Sequence, residues 1–274
     1  MSYLAEALRG VLSEEEMRLL PMGYKRIGHV AIISLPEGLM HRSADIARAL
    51  LGTGGTRTVM LRERGVCGRR RVPGLKFLAG DPETETLHRE NGCAFRIDPA
   101  IVMFSSGNMH ERARIAGLVG DGEVVADMFA GVGQFTIPIA RHSGCRRVYA
   151  AEINPVAFGY LRENVRINRV GHLVVPLLGD CTEVLPRGIA DRVIMGILHV
   201  SQAYIKAAMD VLKPEGGIVH YHESVPSRVR FERPEKNLRS AAGNREIEIL
   251  GRRVVKRYSP GVDHVVLDVR VGRR

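Results

Sequence analysis

The chain has 274 residues and a formal net charge of +10, with 40 Lys and Arg against 30 Asp and Glu. This length allows one large domain, or a medium and a smaller one, with a sizeable core. The charge favours a polyanionic partner such as nucleic acid, although a solvated arginine-rich surface gives the same composition. No apolar run reaches the roughly 18 residues of a membrane span, and no C-x-x-C pair indicates zinc or a disulfide framework. We therefore expect a cytoplasmic protein without a membrane partner.

Residues 1–95 predict a small α+β domain. The segments GHVAIISLP and GTRTVMLRE are typical of strands, and SADIARALL has helical periodicity. Gly and Pro punctuate the stretch GVCGRRRVPGLKFLAGDP. The N-terminal segment is amphipathic and acidic and lacks the charged-then-apolar pattern of a signal peptide, so we do not expect one there.

Residues 96–274 predict an α/β domain with a Rossmann-like fold, because short apolar runs alternate with amphipathic segments. The predicted strands are EVVADMF, RRVYAAEI, LVVPLLGD, ADRVIMGIL, GGIVHYHES and HVVLDVRV, and the predicted helices are GQFTIPIARH, PVAFGYLRENVRIN and SQAYIKAAMDVL. Strands separated by helices predict right-handed crossovers and a mainly parallel, doubly wound sheet. Pro155 fits the first turn of its helix and Ser201 the cap of its helix. The last strand is expected to be an antiparallel edge.

The stretch DMFAGVGQFTIP follows a predicted strand and opens a helix, the setting in which a glycine-rich motif binds a ligand. Gly131 and Gly133 allow a tight turn, and Glu152 ends the next strand at the spacing of an acidic residue that accepts hydrogen bonds from ribose. Because the third glycine of a dinucleotide fingerprint is absent, the loop is more similar to the first motif of S-adenosylmethionine enzymes. Gly179-Asp180 resembles the adenine-contacting turn of the same enzymes. The alternative is a loop that only reverses the chain.

Stretches that match one known family extend over nearly the whole chain. They are GHVAIISLP, LAGDPETETLHRENGCAFRID, FSSGNMHERARIA, DMFAGVGQFTIPIA, AAEINPVAFGYLRENVRIN, HYHESVP and KRYSPGVDHVVLDVRV. With these the chain resembles the archaeal branch of the tRNA methyltransferase and wyosine-synthesis family, which acts on the purine next to the anticodon. The resemblance implies a class I S-adenosylmethionine-dependent transferase domain preceded by a small domain.

Within this family, MGILHVSQ, HYHESVP and RYSPGVDHVVLDVRV resemble the aminocarboxypropyltransferase branch. The resemblance implies transfer of the 3-amino-3-carboxypropyl group of S-adenosylmethionine to carbon 7 of 4-demethylwyosine in phenylalanine tRNA, with release of methylthioadenosine. Many methyltransferases carry an Asn-Pro-Pro or Asn-Leu-Pro turn after the fourth strand, where this chain has Met195-Gly196-Ile197. We expect Gly196 to leave room for a bulky planar ring.

Two alternatives stay open. The first is the guanosine-37 N1-methyltransferase of the same family, which shares the cofactor and the tRNA. The second is a non-catalytic RNA-binding protein that has kept the fold. The missing amide after the fourth strand disfavours the first, and the glycine loop together with Glu152 disfavours the second.

The resemblance also implies a set of cofactor-binding residues. They are Ser105, Arg112, Phe129, Gly131, Glu152, Asp180 and Cys181. Arg112 is suited to pair with a carboxylate, because its guanidinium offers forked hydrogen-bond donors. The alternative is that Arg112 is a solvent-exposed residue of a helix. Phe129 and Gly131 are expected to line the pocket, Glu152 to take the ribose, and Asp180 with Cys181 to meet the adenine edge. The backbone amide of Cys181 is enough for this contact.

No catalytic residue is assigned. His220 and His222 lie on one face of a strand, which by itself allows a metal site, but no third ligand has the right spacing and the family needs no metal. His220 or His199 are candidates for removing the ring proton, with a structural role as the alternative.

Two basic clusters are candidates for contacts with tRNA phosphates, with solvated surface charge as the alternative. They are Arg69-Arg70-Arg71 and Arg252-Arg253-Lys256-Arg257. With no Trp and few aromatic residues, base recognition is expected to need a pocket for a flipped base. We expect the anticodon region of phenylalanine tRNA as the partner and a monomer as the oligomeric state.

Overall fold

The computed structural model describes residues 3–199 and 201–274. It consists of two units, Met1–Ser106 and Gly107–Arg274. The predictions for the N-terminal segment and for the motif MGILHVSQ include Met1, Ser2 and Val200, which lie outside the described residues. The predicted domain boundary after residue 95 stays a prediction and falls inside a strand of the first unit.

The first unit has an α+β architecture. Its elements are α1 (Tyr3–Ala7), α2 (Glu14–Leu19), β1 (Lys25–Ile27), β2 (Val30–Ile33), α3 (Ser43–Leu51), β3 (Thr58–Cys67), β4 (Val72–Gly80), β5 (Thr86–Glu90) and β6 (Cys93–Ile97). The sheet order is β1-β2-β3-β4, with β2 and β3 parallel and joined through α3, and β5 pairs with β6 as a separate hairpin. Ile46 and Leu50 of α3 are completely buried in one hydrophobic cluster with Ile33 and Val59 of the sheet. The predicted strands and the predicted helix are confirmed.

The Gly- and Pro-rich stretch of the first unit forms a long hairpin. β3 continues to Cys67 and β4 begins at Val72, with Arg71 in the turn at φ +54°. Irregularities in the register between Arg62 and Arg64, and between Arg64 and Cys67, accommodate the extra residues. Gly and Pro therefore shape paired strands here and do not interrupt them.

The second unit is built on a seven-stranded sheet. Its elements are α4 (Met109–Leu118), β7 (Val124–Asp127), α5 (Thr136–His142), β8 (Arg147–Glu152), α6 (Pro155–Ile167), β9 (Val174–Leu178), α7 (Cys181–Val184), β10 (Arg192–Met195), α8 (Ile205–Val211), β11 (Gly217–Pro226), α9 (Glu232–Ala242), β12 (Ile247–Ser259) and β13 (Val262–Val271). The order is β12-β13-β11-β10-β7-β8-β9, and the five strands from β7 to β11 are parallel. The predicted α/β fold is confirmed. Its carboxyl edge at β7 and β10 is the switch point where such sheets bind ligands.

The last strand, β13, is antiparallel to β11 as predicted, but it is not the edge. β12 pairs outside it and closes the sheet. β12 was not predicted from the sequence, because Arg252, Arg253 and Lys256 interrupt its apolar pattern and bulges at three points break its alternation. An edge strand tolerates both features because one side of it faces solvent.

Ser201 is not a helix cap. It opens the short 3₁₀ turn Ser201–Tyr204, and α8 begins only at Ile205. Its hydroxyl is buried and donates to the Tyr221 hydroxyl at 3.4 Å. Pro155, in contrast, occupies the first turn of α6 behind the side-chain cap Asn154, as predicted. Within the described part of the chain, no helix has the length and apolar character needed to cross a membrane.

Candidate active site

The glycine loop joins β7 to α5 at the carboxyl edge of the sheet. Gly131 has φ +57° and Gly133 has φ +96°, conformations that L side chains rarely adopt. A Cβ atom on Gly133 would lie 2.8 Å from Cγ1 of Ile137, whereas one on Gly131 would meet only Nε2 of Gln134 at 3.5 Å. Gly133 is therefore needed for the close packing of the loop on α5.

We expect Gly133→Ala to lower the free energy of unfolding by at least about 1–3 kcal/mol, since backbone strain adds to the clash with Ile137. Urea unfolding of the purified variant measures this change. Gly122→Ala is the matched control, because Gly122 also has positive φ (+76°) but has no atom within 4 Å of its added Cβ. Equal losses for the two variants would contradict the packing argument.

Asp127 ends β7 and fixes the start of the glycine loop. Its side chain is completely buried, with Oδ1 accepting the backbone N–H of Phe129 at 3.3 Å and Oδ2 accepting the Thr136 hydroxyl at 2.7 Å. Burial, assisted by the nearby charge of Glu152, raises the pKa of Asp127 to about 6. Asp127 holds the loop and presents no charge to solvent.

The raised pKa of Asp127 predicts a pH dependence of stability. The folded protein keeps this proton up to about pH 6, whereas the unfolded chain releases it near 3.8, so stability falls as the pH rises between these values. Asp127→Asn removes the titration and keeps both hydrogen bonds available. We expect the variant to gain about 3 kcal/mol relative to the wild type between pH 4 and pH 7.

Urea unfolding at a series of pH values measures the difference between Asp127→Asn and the wild type. Glu215→Gln, which changes an exposed carboxylate of the same unit, is the control. Parallel stability curves for wild type and Asp127→Asn would contradict the prediction.

Glu152 ends β8 next to the glycine loop. Its Oε2 accepts the backbone N–H of Gly131 at 2.8 Å, and its Oε1 accepts the N–H of Asn154 at 2.7 Å. Each carboxylate oxygen carries more than one lone pair, so a carboxylate in this position is chemically suited to accept hydrogen bonds from hydroxyl groups. The contact that orients Glu152 thus connects the ends of two neighbouring strands.

Asp180 and Cys181 follow β9 along the same edge. Asp180 caps α7, with Oδ1 accepting the Thr182 N–H at 2.9 Å and the Thr182 hydroxyl at 2.8 Å. The Cys181 side chain is buried, and burial raises the pKa of its thiol to about 12. The thiol stays protonated at neutral pH, which leaves the backbone amide as the polar group of Cys181.

Arg112 lies on α4 and is 1% exposed, so the solvated alternative is wrong. One of its guanidinium N–H groups donates to Oε1 of Gln134 at 3.1 Å, which connects α4 to the residue after Gly133. Gln134 was missed by the sequence analysis, since nothing in its pattern indicates this contact. Ser105 belongs to the first unit and is half-buried there.

Comparison with known proteins gives the family. Residues 86–250 match the model described as TRM5/TYW2 methyltransferase domain, and residues 4–84 match the TYW2 N-terminal domain. The chain belongs to the TRM5/TYW2 family.

Relatives in this family cover the chain almost completely. A tRNA(Phe) (4-demethylwyosine(37)-C(7)) aminocarboxypropyltransferase of Methanocaldococcus jannaschii is 39% identical, over 91% of this chain and 98% of that protein. The crystal structure of Pyrococcus horikoshii TYW2 in complex with MeSAdo has a TM-score of 0.85 at 33% identity, over 99% of this chain and 98% of that one. The complex structure of aTrm5 and tRNALeu has a TM-score of 0.88 at 30% identity, over 99% of this chain and 78% of that one.

The TRM5/TYW2 fold places the MGIL segment at the end of β10, beside the glycine loop. The expectation that Gly196 leaves room for a planar ring is wrong, because a Cβ on Gly196 would lie 2.9 Å from Cε2 of Phe135. The glycine instead lets the Phe135 ring pack on the backbone. The half-buried ring of Phe129, in the glycine loop, packs edge to face on Tyr204 with 5.0 Å between centroids.

His220 is held in a buried network and is not a candidate base. An N–H of Arg192 donates to its Nε2 at 2.8 Å, which leaves the hydrogen on Nδ1 to be donated to Oδ1 of Asp268 at 2.6 Å. Asp268 also accepts two hydrogen bonds from Arg114, and Arg192 donates two to Glu123. Both ring nitrogens of His220 are therefore occupied, so its role is structural.

His199, the other candidate base, lies on the loop after β10 with φ +69°. Its Nδ1 is 2.8 Å from the Ser224 hydroxyl, and its Nε2 is 3.0 Å from the Tyr258 hydroxyl. These contacts tie the loop to β11 and β12. Throughout residues 3–199 and 201–274, no group of three or more His, Cys, Asp or Glu is arranged to hold a metal ion.

The two basic clusters lie in different units. Arg69-Arg70-Arg71 is at the turn of the β3–β4 hairpin, and the second cluster lies on the edge strand β12. Within β12, Arg252 donates to Glu235 at 2.7 Å, and Arg253 is 3.9 Å from Glu111. Their contact with phosphates stays a prediction.

Proposed function

We propose that this chain is the aminocarboxypropyltransferase that modifies 4-demethylwyosine at position 37 of phenylalanine tRNA. It transfers the 3-amino-3-carboxypropyl group of S-adenosylmethionine to carbon 7 of the base and releases methylthioadenosine. Similarity over nearly all of both chains to an enzyme of that name supports this activity. The observation that carries it is the end of β10, where Met195-Gly196-Ile197 has no side-chain amide to hold a ring nitrogen and the Phe135 ring packs on Gly196.

The residues at the carboxyl edge fit S-adenosylmethionine. The Glu152 carboxylate lies beside the two glycines that let the backbone approach a ligand, at the place where an acidic residue accepts hydrogen bonds from ribose hydroxyls. The sulfonium of this cofactor activates all three carbons attached to it, so the product depends on which carbon is directed at the acceptor. A buried guanidinium at Arg112 is suited to hold the carboxylate of the group that is transferred.

Five residues complete the cofactor site that we propose. Phe129 and Gly131 line the pocket, and Asp180 with the amide of Cys181 meets the adenine edge. Ser105 is a further cofactor contact of this proposal. Their joint task is to orient the cofactor and exclude water, so the activated carbon faces the base and not the solvent.

The N1-methyltransferase is the second candidate, since aTrm5 shares the fold. It is disfavoured because Met195-Gly196-Ile197 offers no side-chain amide to hold the nitrogen that would be methylated. We further propose that the partner is the anticodon region of phenylalanine tRNA and that the protein works in the cytoplasm. We also propose that it is a monomer, because the candidate site lies within one chain. The formal charge of +10 supports a polyanionic partner.

The test is incubation of the purified protein with phenylalanine tRNA carrying 4-demethylwyosine and with S-adenosylmethionine labelled in either the methyl or the carboxypropyl carbons. We expect carboxypropyl label in the tRNA and release of methylthioadenosine. Methyl label in the tRNA with S-adenosylhomocysteine would show the methyltransferase instead. Binding of tRNA without any transfer would show a non-catalytic RNA-binding protein.

A further inference from the structure

A second pair of histidines lies at the carboxyl edge of the sheet, beside the cofactor site. His222 on β11 and His264 on β13 are each 1% exposed, and Nδ1 of His222 is 3.0 Å from Nε2 of His264. One of these nitrogens donates and the other accepts, so the two rings form one hydrogen-bonded unit. Across the described ranges 3–199 and 201–274, neither Nε2 of His222 nor Nδ1 of His264 has a hydrogen-bond partner.

These two outer nitrogens are costly in the free protein. In either neutral tautomer of the pair, one outer nitrogen carries a hydrogen and the other carries a bare lone pair. A buried donor or acceptor without a partner destabilises the folded protein, which a purely structural histidine avoids. His220, two residues away on the same strand, has both of its nitrogens bonded. The contrast indicates that the pair serves a group that is bound during the reaction.

The position of His222 identifies this group. Tyr221 of β11 is opposite Met195, the last residue of β10, so His222 lies level with the segment that replaces the methyltransferase amide. Its ring packs on Phe135 with 5.4 Å between centroids, and Phe135 in turn covers Gly196. The pair therefore lies next to the segment at the end of β10 to which the proposed function assigns the choice of acceptor.

Both rings are neutral at physiological pH. Burial lowers the pKa of His222 well below 6.5, and it lowers the pKa of His264 to about 3. The charged or titratable groups that face His222 are His264, His220, Arg114 and Asp268. Lys256 faces His264 from β12. A neutral imidazole keeps the lone pair that a proton acceptor needs.

We propose that His222 is the base that removes the proton from carbon 7 of 4-demethylwyosine, and that His264 is its positioning residue. This inference rests on the proposed function. It assigns the hydrogen of the His222 ring to Nδ1, donated to Nε2 of His264, so that Nε2 of His222 is the bare acceptor.

The proton transfer balances within this pair. Once carbon 7 has formed its new carbon–carbon bond, the tricyclic ring of the tRNA carries one positive charge and carbon 7 still holds its hydrogen. The C7–H bond breaks, its electron pair restores the double bond of the ring, and the proton forms an N–H bond at Nε2 of His222. A weak base is sufficient, because a carbon of a cationic ring that bears both a hydrogen and the newly added carboxypropyl group is strongly acidic. His222 returns the proton to water when the product leaves.

The test compares single-turnover transfer to 4-demethylwyosine tRNA that carries either hydrogen or deuterium at carbon 7. In the wild type we expect no isotope effect, because carbon–carbon bond formation is slower than proton loss. We expect His222→Phe to lower the rate roughly 10²–10⁴-fold and to make the rate sensitive to deuterium, because proton loss then limits turnover. A purely structural role lowers the rate without an isotope effect.

His264 variants and a control sharpen the result. His264→Gln keeps an acceptor for Nδ1–H of His222, so its rate is expected to stay near that of the wild type. His264→Phe removes this acceptor, so its rate is expected to fall. His172→Phe, at an exposed histidine of the same unit, is the control for the substitution itself. S-adenosylmethionine binding and thermal unfolding establish that each variant is folded.

The outcomes separate the two proposals. A wild type that transfers no carboxypropyl label contradicts the proposed function and, with it, this inference. A folded His222→Phe that transfers at the wild-type rate, or that slows without an isotope effect, overturns the inference alone. Nitrogen-15 spectra of the unaltered protein at neutral pH give an independent readout, and a hydrogen on Nε2 of His222 would also overturn it.

Discussion

Glu152→Gln is expected to weaken S-adenosylmethionine binding about 10- to 100-fold. Both oxygens of Glu152 already accept backbone N–H groups, from Gly131 and Asn154. A glutamine places its NH₂ group against one of these donors, so the substitution loses a bond, creates a donor–donor contact and removes the charge that strengthens bonds to the ribose. Loss of charge-assisted hydrogen bonds costs about 1.5–3 kcal/mol, which corresponds to this range.

Isothermal titration of the free protein with S-adenosylmethionine and with methylthioadenosine makes this test specific. Both ligands carry the ribose, so Glu152→Gln is expected to weaken both to a similar extent. Arg112→Met is the matched variant, because it is expected to weaken only the ligand that has a carboxylate. Unchanged affinity of Glu152→Gln for methylthioadenosine would show that Glu152 does not hold the ribose.

Asp268→Ala is expected to lower the free energy of unfolding by about 3–5 kcal/mol. The carboxylate accepts hydrogen bonds from His220 at 2.6 Å and from Arg114 at 2.6 and 3.0 Å. Burial alone would raise the pKa of Asp268, but these partners hold it well below its usual range. Removal of one member of a buried charged network leaves the others uncompensated, which is costlier than the loss of any single bond.

Urea unfolding at neutral pH measures this loss, and the same hairpin provides the control. Glu248 pairs with Arg270 at 2.7 Å, but both side chains are more than half exposed. Glu248→Ala is therefore expected to cost less than about 1 kcal/mol. Comparable losses for the two variants would mean that the network around His220 contributes no more than a surface ion pair.

The parallel part of the second unit was predictable because each element is encoded locally. Val124–Asp127, Arg192–Met195 and the helix Pro155–Ile167 coincide with apolar runs and helical periodicity that need no distant partner. β12 was not predictable, because pairing with β13 stabilises a strand whose own composition is polar and irregular. Its existence depends on a neighbour that begins only after the next turn.

In the candidate cofactor site, too, some features follow from local sequence and others depend on distant parts of the chain. The carboxyl ends of adjacent parallel strands meet at one edge, so the spacing of Gly131, Glu152 and Asp180 along the chain was enough to predict that they lie together. The contact between Arg112 and Gln134 was not predictable, because 22 positions separate the two residues. No periodicity relates a helix that precedes the sheet to the turn that follows the first strand.

By itself, the sequence determined the fold class, the family and the position of the glycine loop, because these follow from local patterns and from motifs of fixed spacing. Only the tertiary structure decided what the histidines do. His220 and His222 occupy equivalent positions on one face of a strand, and composition cannot separate them. The neighbours supplied by β10 and β13 do: Arg192 and Asp268 occupy both nitrogens of the first ring, whereas His264 occupies only one of the second. Chemistry at a buried ring depends on the partners that packing brings to it, and these come from distant parts of the chain.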